Sequence, residues 1–173
     1  MPLLQLIEDC KHNDRKAQQK LYEQFAPAML SLCLRYLGER ETARDALQEG
    51  FIKVFTKIGD YNASGAFEAW IRKIFVNTAI EMLRKQKQGI KISLDGIEIE
   101  DTDNSMFENL PADDLLRMIT ELPPVYRKVF NLRAIEGYEY NEMAQLLNIK
   151  ETALRSQFMR ARQMLKKKVT ILL

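Results

Sequence analysis

Histidine and cysteine are scarce in this sequence, which has one His and two Cys among its 173 residues. His12 stands in a polar terminal stretch, and no group of residues has the spacing typical of metal ligands. A glycine-rich loop of the kind that cradles phosphates is also missing. We therefore expect no cofactor, no metal site, no small-molecule substrate and no enzymatic activity.

Long apolar runs are missing as well. No run approaches the roughly 18 apolar residues that a membrane span requires. The first ten residues, MPLLQLIEDC, carry no basic side chain and reach an acid at Glu8, which is unlike a secretory signal peptide. The sequence thus predicts a cytoplasmic protein without direct membrane insertion.

The two cysteines, Cys10 and Cys33, are isolated from each other in apolar surroundings. They could form a disulfide or a redox switch, or they could be two reduced thiols in the core. We favour the second interpretation, because reduced core thiols are the usual state of cysteine inside cells.

Glycine and proline are too few for a chain of many β-turns, with seven Gly and five Pro, whereas an apolar content of 46% supports hydrophobic cores. The strong periodicities are helical, so we predict an all-α fold. One helix is expected to be capped by Asn13, to break or kink at Pro27 and to end at Gly38. Two more are expected over 40–58 and 66–88.

Charge divides the chain into three parts. Residues 1–91 carry 15 basic and 11 acidic side chains, and residues 115–173 carry 11 basic and five acidic ones. Between them, residues 92–114 carry eight acids and no basic residue. We predict two small helical domains, 1–90 and 114–173, joined by an acidic, flexible linker over 91–113.

The C-terminal domain contains a helix-turn-helix pattern between Tyr138 and Lys168. Ala144 stands where two helices must approach closely, and Asn148 stands where the turn needs a residue that tolerates positive φ. The second helix has a buried stripe and an otherwise basic surface, as a helix that enters the DNA major groove requires. The stripe consists of Leu154, Phe158, Ala161 and Leu165.

Helical phase predicts which side chains of this second helix face DNA. At about 100° per residue from Leu154, the face between about 140° and 240° lies opposite the buried stripe. It holds Ser156, Met159, Arg160 and Gln163, with Arg155 at its flank. Arg162, at about 80°, is expected to reach a phosphate or to pair with an acid.

A helix face in the N-terminal domain suits docking on a basic partner surface. If Leu47 and Phe51 point inward, an accessible surface remains with two carboxylates, an amide and an isoleucine. It consists of Asp45, Gln48, Glu49 and Ile52. The alternative interpretation is an ordinary solvated helix face.

The segment 59–85 combines a polar loop with a basic helix. Tyr61 in the loop and an outward Asn77 are parts that typically hold single-stranded nucleic acid, in which unstacked bases need a cleft and an edge-reading amide. We expect Phe67 and Trp70, by contrast, to be core residues.

Taken together, these segments resemble the extracytoplasmic-function sigma factors, small two-domain sigma subunits of bacterial RNA polymerase. The resemblance covers about 21–168, with its motifs in the family's order. The family's core-binding helices are matched by LYEQFAPAMLSLCLRYL and DALQEGFIKVF. Its −10-reading helix is matched by FEAWIRKIFVNTAIEMLRK. Its −35-reading domain is matched by ELPPVYRKVFNLRAIEGYEYNEMAQLL with the helix that follows it.

The resemblance implies a role for each surface. Asp45, Gln48 and Glu49, beside Ile52, would dock on the clamp helices of the largest polymerase subunit. For the pocket of the flipped −10 base it implies Tyr61, Asn62, Ala63, Ser64 and Asn77. For backbone phosphates it implies Arg84, Lys85 and Lys87. For the −35 element it implies Arg155, Ser156, Met159 and Arg160, to which helical phase adds Gln163.

The resemblance further implies promoter DNA and the polymerase core as partners, and an anti-sigma factor that holds the protein inactive.

Some positions depart from the family pattern. Glu139 and Lys150 replace serines and are poor N-caps, so Asn141 is an alternative cap. Gln157 replaces a bulky basic residue, which should alter −35 preference. A competing hypothesis is a free-standing helix-turn-helix regulator that binds duplex DNA without polymerase.

Overall fold

The chain divides into two compact units, Met1–Lys87 and Gln88–Leu173. The computed structural model describes residues 1–86 and 105–172, and every regular element within these ranges is helical. The predicted all-α fold is therefore confirmed. Across the same ranges, no helix combines the length and the apolar character needed to cross a bilayer.

The N-terminal unit is built from four helices: α1 (Leu3–Lys11), α2 (Arg15–Leu37), α3 (Arg40–Lys57) and α4 (Phe67–Lys85). A short 3₁₀ turn, Ile58–Asp60, continues α3 into the loop that precedes α4. The helices bury apolar stripes against one another, with the largest fully buried side chains contributed by Tyr36, Phe75, Ile7, Leu21, Met29, Leu32, Ile71 and Ile80.

The start of α2 differs from its prediction by one residue. Asp14, not Asn13, is the N-cap, and its Oδ1 accepts the backbone N–H groups of Lys16 at 2.8 Å and Ala17 at 3.0 Å. Asn13 instead adopts a left-handed conformation with φ of 60° in the turn after α1. The N-cap needs extended backbone, which Asp14 has and Asn13 lacks.

Helix α2 continues through its internal proline and ends at a glycine. Pro27 lies inside a single helix that extends from Arg15 to Leu37, so it does not break the element. Gly38 then ends the helix in the left-handed conformation, with φ of 79°, as predicted.

Helices α3 and α4 are packed closely at Gly50. A Cβ atom at this position would lie 2.1 Å from Cε1 of Phe75, whose ring is completely buried. That distance is far below any van der Waals contact. The absence of a side chain at Gly50 therefore lets the Phe75 ring pack directly against the α3 backbone.

Both cysteines are free thiols in the core of this unit, in agreement with the favoured interpretation. Burial raises the pKa of the Cys10 thiol to about 11 and that of the Cys33 thiol to about 12, from an ordinary value of 9.0. The thiol rather than the thiolate is consequently the form present at neutral pH.

We expect both thiols to resist a disulfide reagent such as Ellman's reagent in the folded protein. At pH 8 the raised pKa values lower the thiolate fraction by about a hundredfold or more, and burial slows access further. The measurement compares labelling rates in buffer and in guanidinium chloride, where both thiols should react rapidly. Equal rates in the two solvents would contradict the buried positions.

The C-terminal unit contains a short helix α5 (Ser105–Glu108), then α6 (Ala112–Thr120), α7 (Pro124–Phe130), α8 (Tyr140–Leu147) and α9 (Glu151–Leu172). A π-helical turn, Asn131–Ile135, extends α7. Its core is formed by α6, α7 and α9 and contains Met118, Ile119, Leu122, Phe130, Ala161, Leu165 and Val169.

The predicted linker lies largely outside the described residues, but its last part does not behave as a linker. Residues 105–113 include α5 and the start of α6, and Phe107 and Leu110 pack against the C-terminal core. The expectation of low order is therefore wrong for 105–113. The polar composition of this segment predicted a linker, but its two apolar side chains are removed from water when the segment folds onto the domain.

Candidate nucleic-acid interface

The helix-turn-helix of the C-terminal unit has the predicted turn. Asn148 ends α8 in the left-handed conformation, with φ of 54° and ψ of 47°. The backbone N–H of Ile149 then donates to the carbonyl oxygen of Ala144 at 3.3 Å, which closes the turn before α9. Asparagine tolerates this conformation better than most residues do, because its short side chain bonds locally.

The start of α8 is stabilised by a pair of glutamates. The backbone N–H of Glu139 donates to Oε2 of Glu142 at 2.9 Å, as in a capping box. The alternative cap, Asn141, lies inside the helix, so that prediction is wrong. Reciprocal acceptance by two carboxylates compensates for the poor capping propensity of a single Glu.

The surface of α9 has the predicted phase. Leu154, Ala161 and Leu165 are fully buried and Phe158, the fourth residue of the predicted stripe, is partly buried, whereas Arg155 and Arg160 are exposed. Ser156, Met159 and Gln163 are partly exposed between them. The five candidate −35 residues thus form a continuous, accessible face, which we name the recognition face.

Two other residues of α9 lie away from this face. Arg162 was predicted to reach a phosphate or to pair with an acid. Its side chain is only 4% exposed and places its guanidinium 5.9 Å from the centroid of the Phe158 ring, so the phosphate contact is wrong, whereas pairing with an acid stays a prediction. Gln157 is 7% exposed, so it cannot present its side chain to DNA as the family comparison suggests. In both cases the side chain packs over the core instead of pointing into solvent.

In the N-terminal unit, the loop before α4 encloses an open cavity of about 270 Å³. The loop is ordered by its own hydrogen bonds: the Tyr61 hydroxyl donates to the carbonyl oxygen of Gly65 at 2.5 Å, and Asn62 Oδ1 accepts the backbone N–H of Ser64 at 3.0 Å. Ala63 adopts a left-handed conformation, with φ of 58°. Such local strain is typical of binding loops.

The cavity is shaped by side chains that the sequence alone assigned differently. Tyr61 is only 7% exposed and packs against Phe67 and Trp70, so its ring supports the loop and offers little surface for stacking. Trp70 is half-buried and lines the cavity together with Lys73, although Trp70 was expected in the core. Asn77 is exposed on α4 but does not line the cavity.

Lys73 is therefore a candidate that the sequence reasoning missed. The spacing of Lys73, four residues beyond Ala69 and three beyond Trp70, could have indicated that it shares their side of α4, because residues three and four apart share a helix face. Farther along α4, Arg84 and Lys85 are exposed, and Lys85 lies 3.8 Å from Glu81. Lys87 lies outside the described residues.

The predicted docking face on α3 is accessible. Asp45 and Gln48 are exposed, Glu49 is partly exposed, and Ile52 is 68% exposed although it is apolar. A single exposed apolar side chain is common on protein surfaces, so the position of Ile52 beside two carboxylates, and not its exposure alone, makes this surface a candidate for docking. We name these four residues the α3 face.

Lys53 connects the α3 face to α4. Its Nζ lies 3.0 Å from Oε2 of Glu81 and 3.8 Å from Oε1 of Glu49. The hydrogen bond and the charge of Lys53 lower the pKa of the Glu81 carboxyl. The same lysine therefore lies near Glu49 of the α3 face and is bonded to Glu81 of α4.

The described residues contain no group of His, Cys, Asp and Glu that could hold a metal ion.

Comparison with known proteins gives matches to both units. A family model described as Sigma-70 region 2 matches residues 21–89, and one described as Sigma-70, region 4 matches residues 112–165. The ECF RNA polymerase sigma-E factor of Escherichia coli is 30% identical over 95% of this chain and 92% of its own length. SigW, an ECF RNA polymerase sigma factor of Bacillus subtilis, is 25% identical over 98% of this chain and 97% of its own length.

A solved structure shows the same fold. The sigma factor RpoE from Bartonella quintana, in complex with the anti-sigma factor NepR, superimposes with a TM-score of 0.54 over 88% of this chain and 96% of that one. Its sequence identity to this chain is 18%.

Proposed function

The chain belongs to the ECF sigma factors of bacterial RNA polymerase, and from this membership we propose how its two units share promoter recognition. As a sigma factor it binds the polymerase core and directs promoter-specific initiation of transcription. The observation that carries the division of work is the order of the two matched regions, one on each unit, each with an accessible candidate face. The residue roles below are our proposals.

We propose that the recognition face of α9 reads the −35 element. Exposed Arg155 and Arg160 supply guanidinium groups, which bind guanine edges or phosphates, and Ser156, Met159 and Gln163 supply smaller contacts between them. One helix offers few phosphate contacts, so binding to duplex DNA depends on the polymerase that places both units on one promoter.

For the −10 element, we propose that the loop cavity of the N-terminal unit receives an unstacked base. Asn62 and Ser64 line its exposed rim, with Ala63 between them in the loop, and the partly exposed ring of Trp70 supplies an apolar wall. Lys73 would contact the adjacent phosphate. Asn77, one turn farther along α4, would meet a neighbouring nucleotide, because it does not line the cavity itself.

The α3 face is our candidate for docking on the polymerase core. Its carboxylates suit a basic surface, and Ile52 offers apolar area that would be buried on association. We also propose that an anti-sigma factor covers these surfaces in the inactive state, as a partner of that class binds the structurally similar RpoE. We further propose that its role is one of binding without catalysis, and that it acts in the cytoplasm, where polymerase and promoter DNA are found.

A free-standing helix-turn-helix regulator is not favoured. That hypothesis accounts for the C-terminal unit, but it leaves the Sigma-70 region 2 match and the loop cavity of the N-terminal unit without a role. It also predicts specific binding to duplex DNA without polymerase.

Run-off transcription tests the function directly. Purified core polymerase with this protein should initiate from a subset of a randomised promoter library, and the selected promoters should share two elements separated by a spacer. Core alone is the control. Specific binding of the protein alone to the same DNA, together with no gain of transcription from added protein, would overturn the proposal in favour of the regulator.

Replacing Gln48 and Glu49 together by Ala should weaken binding to polymerase core about fivefold, because it removes one amide and one charge from a rim-type contact worth about 1 kcal/mol. Titration of labelled protein with core measures the dissociation constant. The matched control is Gln5→Ala with Asp9→Ala, an exposed amide–carboxylate pair on α1 whose side chains are 2.8 Å apart. Equal affinities for both double variants, with helicity unchanged, would remove the α3 face from the interface.

A further inference from the structure

The ring of Tyr140, the first residue of α8, is in contact with two guanidinium groups. The Cζ atom of Arg133 is 4.8 Å from the ring centroid, and that of Arg155 is 4.3 Å from it. Both distances are within the range in which a cation is attracted to the face of an aromatic ring. The same ring meets Phe158 edge to face, with centroids 6.4 Å apart.

One of the two arginines is anchored independently of the ring. Arg133 Nη1 donates to the carbonyl oxygen of Tyr138 at 3.0 Å and lies 3.3 Å from Oε2 of Glu139. Its side chain is 31% exposed. Arg133 therefore supports Tyr140 from the π-helical turn that extends α7, and it is not one of the five residues of the recognition face.

The other arginine belongs to the recognition face. The Arg155 side chain is 58% exposed, and its Nη2 lies 3.8 Å from Oε2 of Glu151 one turn earlier on α9. An exposed arginine ordinarily samples many rotamers, and ordering it on DNA costs conformational entropy. The Tyr140 ring restricts that freedom before DNA arrives, while the outer part of the guanidinium stays accessible.

We propose that Tyr140 is a positioning residue for −35 recognition, which holds the Arg155 guanidinium at the edge of the recognition face. The inference rests on the proposed function, because it requires that Arg155 contacts the −35 element. Tyr140 needs no contact with DNA of its own. It couples the first helix of the motif to the DNA contact of the second, since the ring stands on α8 and the guanidinium on α9.

The test is a double-mutant cycle in reconstituted holoenzyme, with run-off transcription from a selected promoter and from the same promoter with its −35 element replaced. Tyr140→Leu removes the aromatic face and should lower the preference for the intact −35 element about two- to fivefold. Tyr140→Phe keeps the face and should retain the preference. In an Arg155→Ala background, Tyr140→Leu should have no further effect.

Tyr126→Leu is the matched control, because Tyr126 is half-buried against the apolar core of the same unit. It should leave the −35 preference unchanged. Thermal unfolding of each variant accompanies the assay, and Tyr140→Met provides a second non-aromatic variant if Tyr140→Leu fails to fold.

Several results would overturn the inference. Equal loss from both promoters would assign Tyr140 a general structural role, and additive effects of Tyr140→Leu and Arg155→Ala would show that the two residues act independently. If Tyr140→Leu left the −35 preference unchanged while Arg155→Ala lowered it, the positioning role of Tyr140 would be overturned and the DNA contact of Arg155 would stand. A silent Arg155→Ala would overturn the DNA-contact role of Arg155, and the positioning role of Tyr140 with it.

Discussion

Replacing Arg160 by Ala should reduce discrimination between matched and mismatched −35 elements by about 1–3 kcal/mol, as expected for a side chain that reads a base edge. Arg160 is exposed at about 240° from Leu154, at the edge of the surface opposite the buried stripe. Its guanidinium can make a bidentate contact, which alanine cannot replace. The measurement is run-off transcription by holoenzyme on promoters that differ at single −35 positions.

The matched control for this prediction is Lys167→Ala. Lys167 is exposed on the same helix, two turns beyond Arg160 and at a similar phase, so the variant removes one positive charge from the same side. Loss of a phosphate contact should weaken transcription from all promoters alike and reduce the dependence on salt. If Arg160→Ala also acted equally on matched and mismatched promoters, Arg160 would be a phosphate contact and the base-reading role would be lost.

The second large effect is expected at Gly50. Gly50→Ala should lower the free energy of unfolding by about 1–3 kcal/mol, the usual cost of overpacking a core. In a helix, alanine is intrinsically better than glycine by about 1 kcal/mol, so propensity alone predicts the opposite sign. The steric effect should dominate, because the added Cβ would meet the buried Phe75 ring at 2.1 Å and that ring is itself packed against Phe51.

Urea unfolding followed by tryptophan fluorescence measures this effect in the full chain. The single tryptophan, Trp70, lies on α4, so its emission reports on the N-terminal unit. Gly59→Ala is the matched control, because nothing lies within 4 Å of a Cβ at that position. Gly59→Ala should leave stability nearly unchanged, and a Gly50→Ala protein as stable as the wild type would refute the close packing of α3 on α4.

A displacement of α3 has a functional consequence as well. Gly50 follows Glu49 directly and lies two residues before Ile52, so a shift of α3 that relieves the overlap with Phe75 would move the α3 face. We expect Gly50→Ala to weaken core binding in addition to lowering stability. The buried glycine and the exposed docking residues are thus parts of one packing arrangement.

Helical periodicity carried most of the fold prediction. The stripe of Leu154, Ala161 and Leu165 is buried as expected, and Arg160 lies on the opposite, exposed side. Likewise the turn at Asn148 has the predicted left-handed backbone. These features are local: a repeat of 3.6 residues and a backbone preference are properties of the chain itself and need no knowledge of distant contacts.

The errors concern residues whose environment is made by other segments. Trp70 looked like a core residue because aromatic residues usually are, but the loop packs on one part of its ring and leaves another part in the cavity. Arg162 looked like a phosphate contact because it is basic, but its guanidinium lies over Phe158 and is buried. Composition gives a residue's chemistry, whereas its exposure depends on which neighbours fold over it.

The sequence by itself determined the helical class of this protein, its family, and which side of α9 is exposed, because each of these depends on patterns within short segments. Only the tertiary structure decided that Lys73 and Trp70, rather than Asn77, line the loop cavity, that Phe75 packs directly on Gly50, and that the Arg155 guanidinium lies over the Tyr140 ring. The physical reason is the same in all three cases. Each is a contact between side chains or backbone of different elements, and its geometry is set by close packing, which no local pattern encodes.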